Sequence, residues 1–416
     1  MKTSKIKKLF IIDNFLTILL SILPIAIIIG PAFINILLTA IILFFFFNKS
    51  NWGFLRNKYF FFLLIFFLYL IINTFLSKDP LLSIVRVLSY IKFTLFSLAL
   101  ASFINTNINR EIIFKTWLII IFIIIIDVYF EKFFGNNIIG LISSDPQRVA
   151  SFFNEELIVG SFLFAFSFLV FSIFFKKKNK IYWSLILILG LAIFLSGERA
   201  VFLKYLIYIF IIMLLFEKRL SFFKKIIFFF IFILLIAISL KLFITTKERQ
   251  SLLLDTLLSK DHKNTPLTVE QIKNNLYKIK HFAHYDTAWK IFKDNPFFGS
   301  GLKTYRVECS NPDYFNSNII QSEVRCTTHP HQIHFELLSE LGIIGYLMFL
   351  LFFFYFLYAA IKQYIKNKEI ILLNSTIYIF IALIPIIPSG SFFGTVSGVF
   401  FFTNFGFILS FLIKKK

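Results

Sequence analysis

Apolar runs of about twenty residues recur along the whole of this 416-residue chain. Each is long enough for a helix rising 1.5 Å per residue to cross a hydrocarbon layer of about 30 Å. They lie near 10–29, 31–47, 59–77, 84–104, 112–130, 157–175, 181–196, 200–216, 226–245, 334–361, 371–388 and 393–412. Only 16% of residues are charged and 58% are hydrophobic, against roughly 25% charged in an average soluble domain. That excludes a water-soluble globule and predicts an all-α polytopic membrane protein of about twelve transmembrane helices.

The formal charge of +21 would suggest a nucleic-acid partner in a soluble protein. Here the basic residues fall in alternate gaps between runs. Lys2, Lys5, Lys7 and Lys8 precede the first; Lys49, Arg56 and Lys58, then Arg110, then Lys176, Lys177, Lys178 and Lys180 follow. Lys218, Arg219, Lys224 and Lys225, then Lys362, Lys366 and Lys368, and finally Lys414, Lys415 and Lys416 complete the series. The other short gaps carry only Lys78, Lys132, Arg148 and Arg199. By the positive-inside rule the lysine-rich gaps and both termini are cytoplasmic, so the charge reports topology and not nucleic acid. The basic N-terminus resembles a signal-peptide flank, but Asp13 and Asn14 interrupt the apolar stretch and no small-residue cleavage site follows, so the first span is expected to be retained.

The chain then divides into nine spans over 1–245, a hydrophilic loop domain over 246–333 outside the cytoplasm, and three spans over 334–416. Within the loop, Thr268 and Gln271 have capping-box spacing, and Val269, Ile272, Leu276, Ile279 and Phe282 recur at three and four residues. This predicts an amphipathic helix over 269–293 that stops before Asn295-Pro296. The two cysteines, Cys309 and Cys326, both fall in this loop, where an oxidising compartment favours a disulfide; the alternative is two buried thiols.

Three polar clusters stand at the outer face. Pro146 to Glu156, with Arg148, Glu155 and Glu156, enters span six; Ser196-Gly197-Glu198-Arg199 turns between spans seven and eight; and Thr327 to Gly345, with His329, His331, His334, Glu336 and Glu340, leads into span ten. The order of these motifs, with Ala288-Trp289 and Asn295-Pro296-Phe297-Phe298-Gly299-Ser300-Gly301 in the long loop, resembles the O-antigen ligase and polymerase superfamily over about 84–350. The resemblance implies a GT-C-like membrane enzyme of the bacterial inner membrane that needs neither metal nor cofactor. It would take a glycan from undecaprenyl diphosphate at the periplasmic face and join it to a hydroxyl, on lipid A-core for a ligase or on a second lipid-linked glycan for a polymerase. Carried over by motif, it makes His331 the catalytic residue, although Gln332 follows it where the family has Asn, and assigns Arg199 and Arg148 to the diphosphate, with Glu155 or Glu156 at the acidic position. Many ligases carry an arginine where His281 stands, and His281, His284, Lys290 or Arg306 would have to compensate.

The residue types suit this chemistry in their own right. A lipid diphosphate is a good leaving group that needs permanent, bidentate positive charge, which arginine supplies. A sugar hydroxyl needs its proton removed as the bond forms, the usual task of histidine. Arg86, near the outer end of span four, and Lys92 within that span are further candidates for a phosphate-binding surface, because an intramembrane charge must face protein or water. Glu340 would either orient His331 or satisfy a helix end, and His329 is expected to support the site. The competing readings are snorkelling arginines, a zinc site built on His-x-His spacing, and a twelve-span transporter. A transporter would place its site at mid-membrane in repeated halves, whereas these clusters gather at one interface.

Overall fold

The computed structural model describes residues 14–47, 49–104, 110–175, 179–217, 220–259 and 268–413. Lys2, Lys5, Lys7, Lys8, Lys176 to Lys178, Lys218, Arg219 and Lys414 to Lys416, on which part of the topology argument rests, lie outside them, as do residues 10–13 of the first run. All regular structure among the described residues is helical.

Each apolar run holds a helix. Seven are long and apolar enough to cross a membrane: Lys58–Phe75, Pro80–Ile104, Arg110–Phe134, Arg199–Phe216, Phe222–Leu242, Ile333–Asn367 and Thr395–Leu412. Pro31–Phe47, Val159–Phe175, Asn179–Leu195 and Ile370–Ala382 are shorter, and the first run is helical over 14–21 and Leu23–Ile29. The protein is therefore a multi-pass membrane protein, and the run read as a span over 371–388 is helical only to Ala382. Pro385 and Pro388 cannot continue the ladder, and residues 383–394 instead form an irregular segment.

Between helices of equal apolarity there is no hydrophobic driving force in lipid, so association rests on packing and buried hydrogen bonds. Phe353, Phe392, Phe401 and Phe405 interlock with ring centroids 5.1 to 6.5 Å apart where they meet. Asn374 accepts from Tyr208 Oη at 2.8 Å and donates to Phe168 O at 2.6 Å, joining three helices in the interior.

The expected helix over 269–293 is two helices, Val269–Tyr277 and Lys280–Asp294. The Thr268–Gln271 capping box opens the first. Buried Asn275 donates to Ser259 O at 2.8 Å, tying that helix to the end of the preceding one, and the chain turns at Lys278 and Ile279 before the second begins.

The Ile333–Asn367 helix is broken at Gly342, whose φ of 65° and ψ of −174° are not helical. The Asn-Pro-Phe-Phe-Gly-Ser-Gly segment lies across the break and takes over the freed backbone groups. Ser300 N donates to Ser339 O and Gly301 N to Glu340 O, both at 2.9 Å, while Ile343 N donates to Pro296 O at 2.8 Å and Ile344 N to Phe297 O at 3.2 Å. Buried backbone groups must be paired, and here two distant motifs satisfy each other. The same segment reaches the turn before Pro80–Ile104, since Lys78 N donates to Ser300 O at 2.8 Å. The connections at 76–79, 135–158, 196–198, 243–259, 268–332 and 383–394 are thereby gathered at one end of the bundle, around a cavity of about 1,060 Å³.

Candidate active site

One wall of the cavity is imidazole. Gln332 caps the Ile333–Asn367 helix, its Oε1 accepting from His334 N at 2.7 Å and Phe335 N at 3.1 Å, which fixes the residue before it. His331 adopts a φ of 56°, a left-handed conformation that costs a non-glycine residue about 1–3 kcal/mol and persists only where surroundings impose it. Its carbonyl accepts from Ser389 N at 2.8 Å. Its ring lies 4.2 Å from His329, 5.1 Å from His284 and 5.2 Å from His281, centroid to centroid. His284 Nδ1 meets Arg325 O at 2.8 Å; because a carbonyl only accepts, this nitrogen carries the proton and Nε2 of the neutral ring is bare. Arg325 precedes Cys326, which is disulfide-bonded to Cys309 with Cα atoms 5.2 Å apart. The bridge tethers the segment that leads to His329 and His331.

Burial is the main force on these rings and disfavours their charged form. With the neighbouring His329, His281 and His284 it pushes His331 down to about 3, and with His284, Lys280 and Arg199 it pushes His281 down to about 4. All four are held below the ordinary histidine value, so at neutral pH the wall is uncharged. No three His, Cys, Asp or Glu side chains among the described residues converge in a metal-ligating arrangement.

The facing wall is cationic. Gly197, at φ 77°, forms the tight turn before Arg199, and a Cβ there would stand 2.8 Å from Gln147 O. Val149 N donates to Ser196 O at 3.2 Å. These contacts press the 145–150 segment onto the turn and bring Arg148 beside Arg199. Arg148 donates to Leu157 O and Arg199 to Arg249 O, the latter at 3.2 Å. Burial, with Arg249 nearby, lowers the Arg148 guanidinium against the opposing pull of Glu198. Glu198 itself is committed elsewhere, accepting from Gly160 N at 2.5 Å and from the Ser161 hydroxyl at 2.6 Å at the start of Val159–Phe175, where a helix N-terminus favours negative charge.

Of the residues singled out from sequence, His331, His329, His281, Arg199, Arg148, Arg86 and Glu156 face the cavity. Glu155 is exposed outside it. Glu340 does not reach His331: it is buried, accepts from Lys303 N at 2.7 Å and serves the crossing at Gly342. Glu336 binds Lys303 Nζ at 2.9 Å and Phe392 N at 2.8 Å, also contacting Ser391, so it anchors the 383–394 segment. His334 meets Tyr346 Oη at 3.0 Å and Leu383 O at 2.8 Å, away from the cavity. Lys92 is bonded to Asn35. Sequence reading missed Lys204, Arg249 and Tyr285, all of which line the cavity. Lys204 is an ionisable residue inside an apolar run, and Arg249 is a basic residue just past a run on the lysine-poor side; both signals were present.

A twelve-run helical membrane protein whose loops enclose an imidazole and arginine cavity at one end defines a class of polytopic membrane protein with a polar site at the end of its helix bundle. Residues 183–350 match the family model described as O-Antigen ligase, a segment that holds the Gly197 turn, the long loop and His331. Over that segment the chain is similar to the O-antigen ligase family. No curated protein matches it.

Proposed function

We propose that this protein is a metal-independent, inverting glycosyltransferase that moves a glycan from undecaprenyl diphosphate to a hydroxyl of lipid A-core at the periplasmic face of the bacterial inner membrane. The observation that carries this reading is that His331 and the arginines Arg148 and Arg199, drawn from segments far apart in sequence, face one cavity at the ends of apolar helices. A lipid-linked donor can present its diphosphate there while its polyprenyl chain stays in the bilayer.

The arginines take the diphosphate oxygens and stabilise the charge that grows as the bond from the anomeric carbon to the phosphate oxygen breaks. His331 accepts the proton of the acceptor hydroxyl while that oxygen forms the new bond to the anomeric carbon, and undecaprenyl diphosphate departs. Attack opposite the leaving group inverts the configuration. Burial and the neighbouring imidazoles hold His331 below the ordinary histidine value, and an anionic diphosphate beside it would raise it toward the working range of a general base. The cavity is also lined by His281, Tyr285, Arg306 and Thr328, polar groups suited to a sugar.

The test is transfer from labelled undecaprenyl-diphosphate-linked glycan by purified protein in bilayers. Product that forms only when lipid A-core is added supports ligation. Lengthening of the donor pool alone assigns the polymerase reaction instead, and no product under either condition overturns the enzyme reading.

A further inference from the structure

Arg249 is the cation of this wall with an acidic partner. Its Nη1 lies 3.4 Å from Asp145 Oδ2 and its Nε 3.4 Å from Gly197 O, whereas Arg148 and Arg199 donate to backbone carbonyls, and Arg148 feels Glu198 and Asp145 only through space. Arg249 comes from the Ile244–Leu257 helix, fifty residues beyond Arg199, yet its own carbonyl accepts from Arg199 Nη1. The two arginines are strapped to each other and to the turn at Gly197, and both face the cavity. Three guanidinium groups thus crowd one wall while the nearby Glu198 is occupied by Gly160 and Ser161. Like charges held this close repel, and an anion among them relieves the repulsion. Asp145 relieves part of it, but at 3.4 Å and partly exposed it is a weak partner that an incoming anion with better geometry displaces.

We propose that Arg249 is a third donor-binding cation, that it exchanges Asp145 for the second phosphate of the donor, and that Asp145 thereby sets the discrimination between a lipid diphosphate and a lipid monophosphate. This inference rests on the donor-binding reading above and deepens it. A single phosphate is served by Arg148 and Arg199 and leaves Arg249 on Asp145. A diphosphate offers oxygens to all three, and its second negative charge outcompetes the carboxylate.

Full-length protein in lipid nanodiscs tests this through equilibrium binding of undecaprenyl diphosphate and undecaprenyl monophosphate, with thermal melts confirming that each variant is folded. Losing one charge-assisted bond predicts that Arg249→Ala weakens diphosphate binding by about 10–100-fold and monophosphate binding by about threefold or less. Arg249→Lys should fall between Arg249→Ala and the unsubstituted protein, since it keeps the charge and loses the fork. Asp145→Asn should tighten the diphosphate by about two- to tenfold, because the competitor is gone. If Arg249 only braces the turn, Arg249→Ala and Asp145→Asn will weaken both lipids alike, and that result overturns the inference. Unchanged diphosphate binding in Arg249→Ala, with Arg199→Ala defective, overturns it while leaving the proposed reaction standing. Failure of the unsubstituted protein to bind either lipid removes the reaction and the inference together.

Discussion

Gly299 and Gly342 each occupy the space that a side chain on the other would need: a Cβ on either would lie 2.5 Å from the backbone nitrogen of its partner. Both have positive φ, 73° and 65°. The loop motif and the helix motif are thus two halves of one backbone crossing, and the crossing sets where the half-helix carrying Glu336 ends. Gly342→Ala adds a strained φ to a backbone clash and is expected to cost about 3 kcal/mol or more. Gly299→Ala should cost a similar amount. Melting of detergent-purified variants followed by tryptophan fluorescence checks this, and variants as stable as the parent would remove the crossing from the account.

Replacing His331 and Arg199 should separate acceptor activation from donor binding. His331→Ala is expected to slow transfer by roughly 10²–10⁴-fold with donor affinity nearly unchanged, because the imidazole acts in the transition state. Arg199→Ala should weaken both donor binding and turnover, since its charge meets a diphosphate present before and during bond breaking. Arg199→Lys should rescue only in part, and EDTA should leave the activity intact. Full transfer by His331→Ala, or activity silenced by EDTA and restored by zinc, would move the histidines to a metal role.

Acid should destabilise the loop domain through its histidines. His331 and His281 have folded values of about 3 and about 4 against an ordinary 6.5, so between pH 6.5 and about 4 the unfolded chain binds more protons than the folded one. Stability is then full above about 6.5 and falls as pH drops through this window. Melting temperatures at pH 7.5 and 5.0 read the slope, which His281→Asn should flatten. A melting temperature independent of pH across the window would contradict the burial of the cluster.

The Cys309–Cys326 bridge closes a loop of 17 residues' separation, and on the chain-entropy model its removal should cost about 3 kcal/mol. Alkylation without reductant should leave both cysteines unlabelled, and reduction should lower the melting temperature and the transfer rate together. For the same loop, a cysteine placed at Asn316 in a background lacking the native pair should react with an impermeant reagent in intact cells. Protection until the membrane is broken would reverse the topology. Asn264, a second position for this labelling, lies outside the described residues.

Legible in the residues alone were the membrane class, a helix within each apolar run, and His331 and Arg199 as outliers worth following. These are local properties: a bilayer sets the length of an apolar run, and a charge at the wrong end of a run is visible without knowing what it touches. Which outliers meet depends on how the helices and loops pack. That packing sent Glu340 into the Gly342 crossing rather than to His331, gave Glu336 to Lys303, cut the 371–388 run short so that 383–394 could wall the cavity, and set Arg249 beside Arg199. Pairing of charges and satisfaction of a broken helix depend on groups tens of residues apart, and periodicity, which reports only a residue's immediate neighbours on its own helix, holds no record of them.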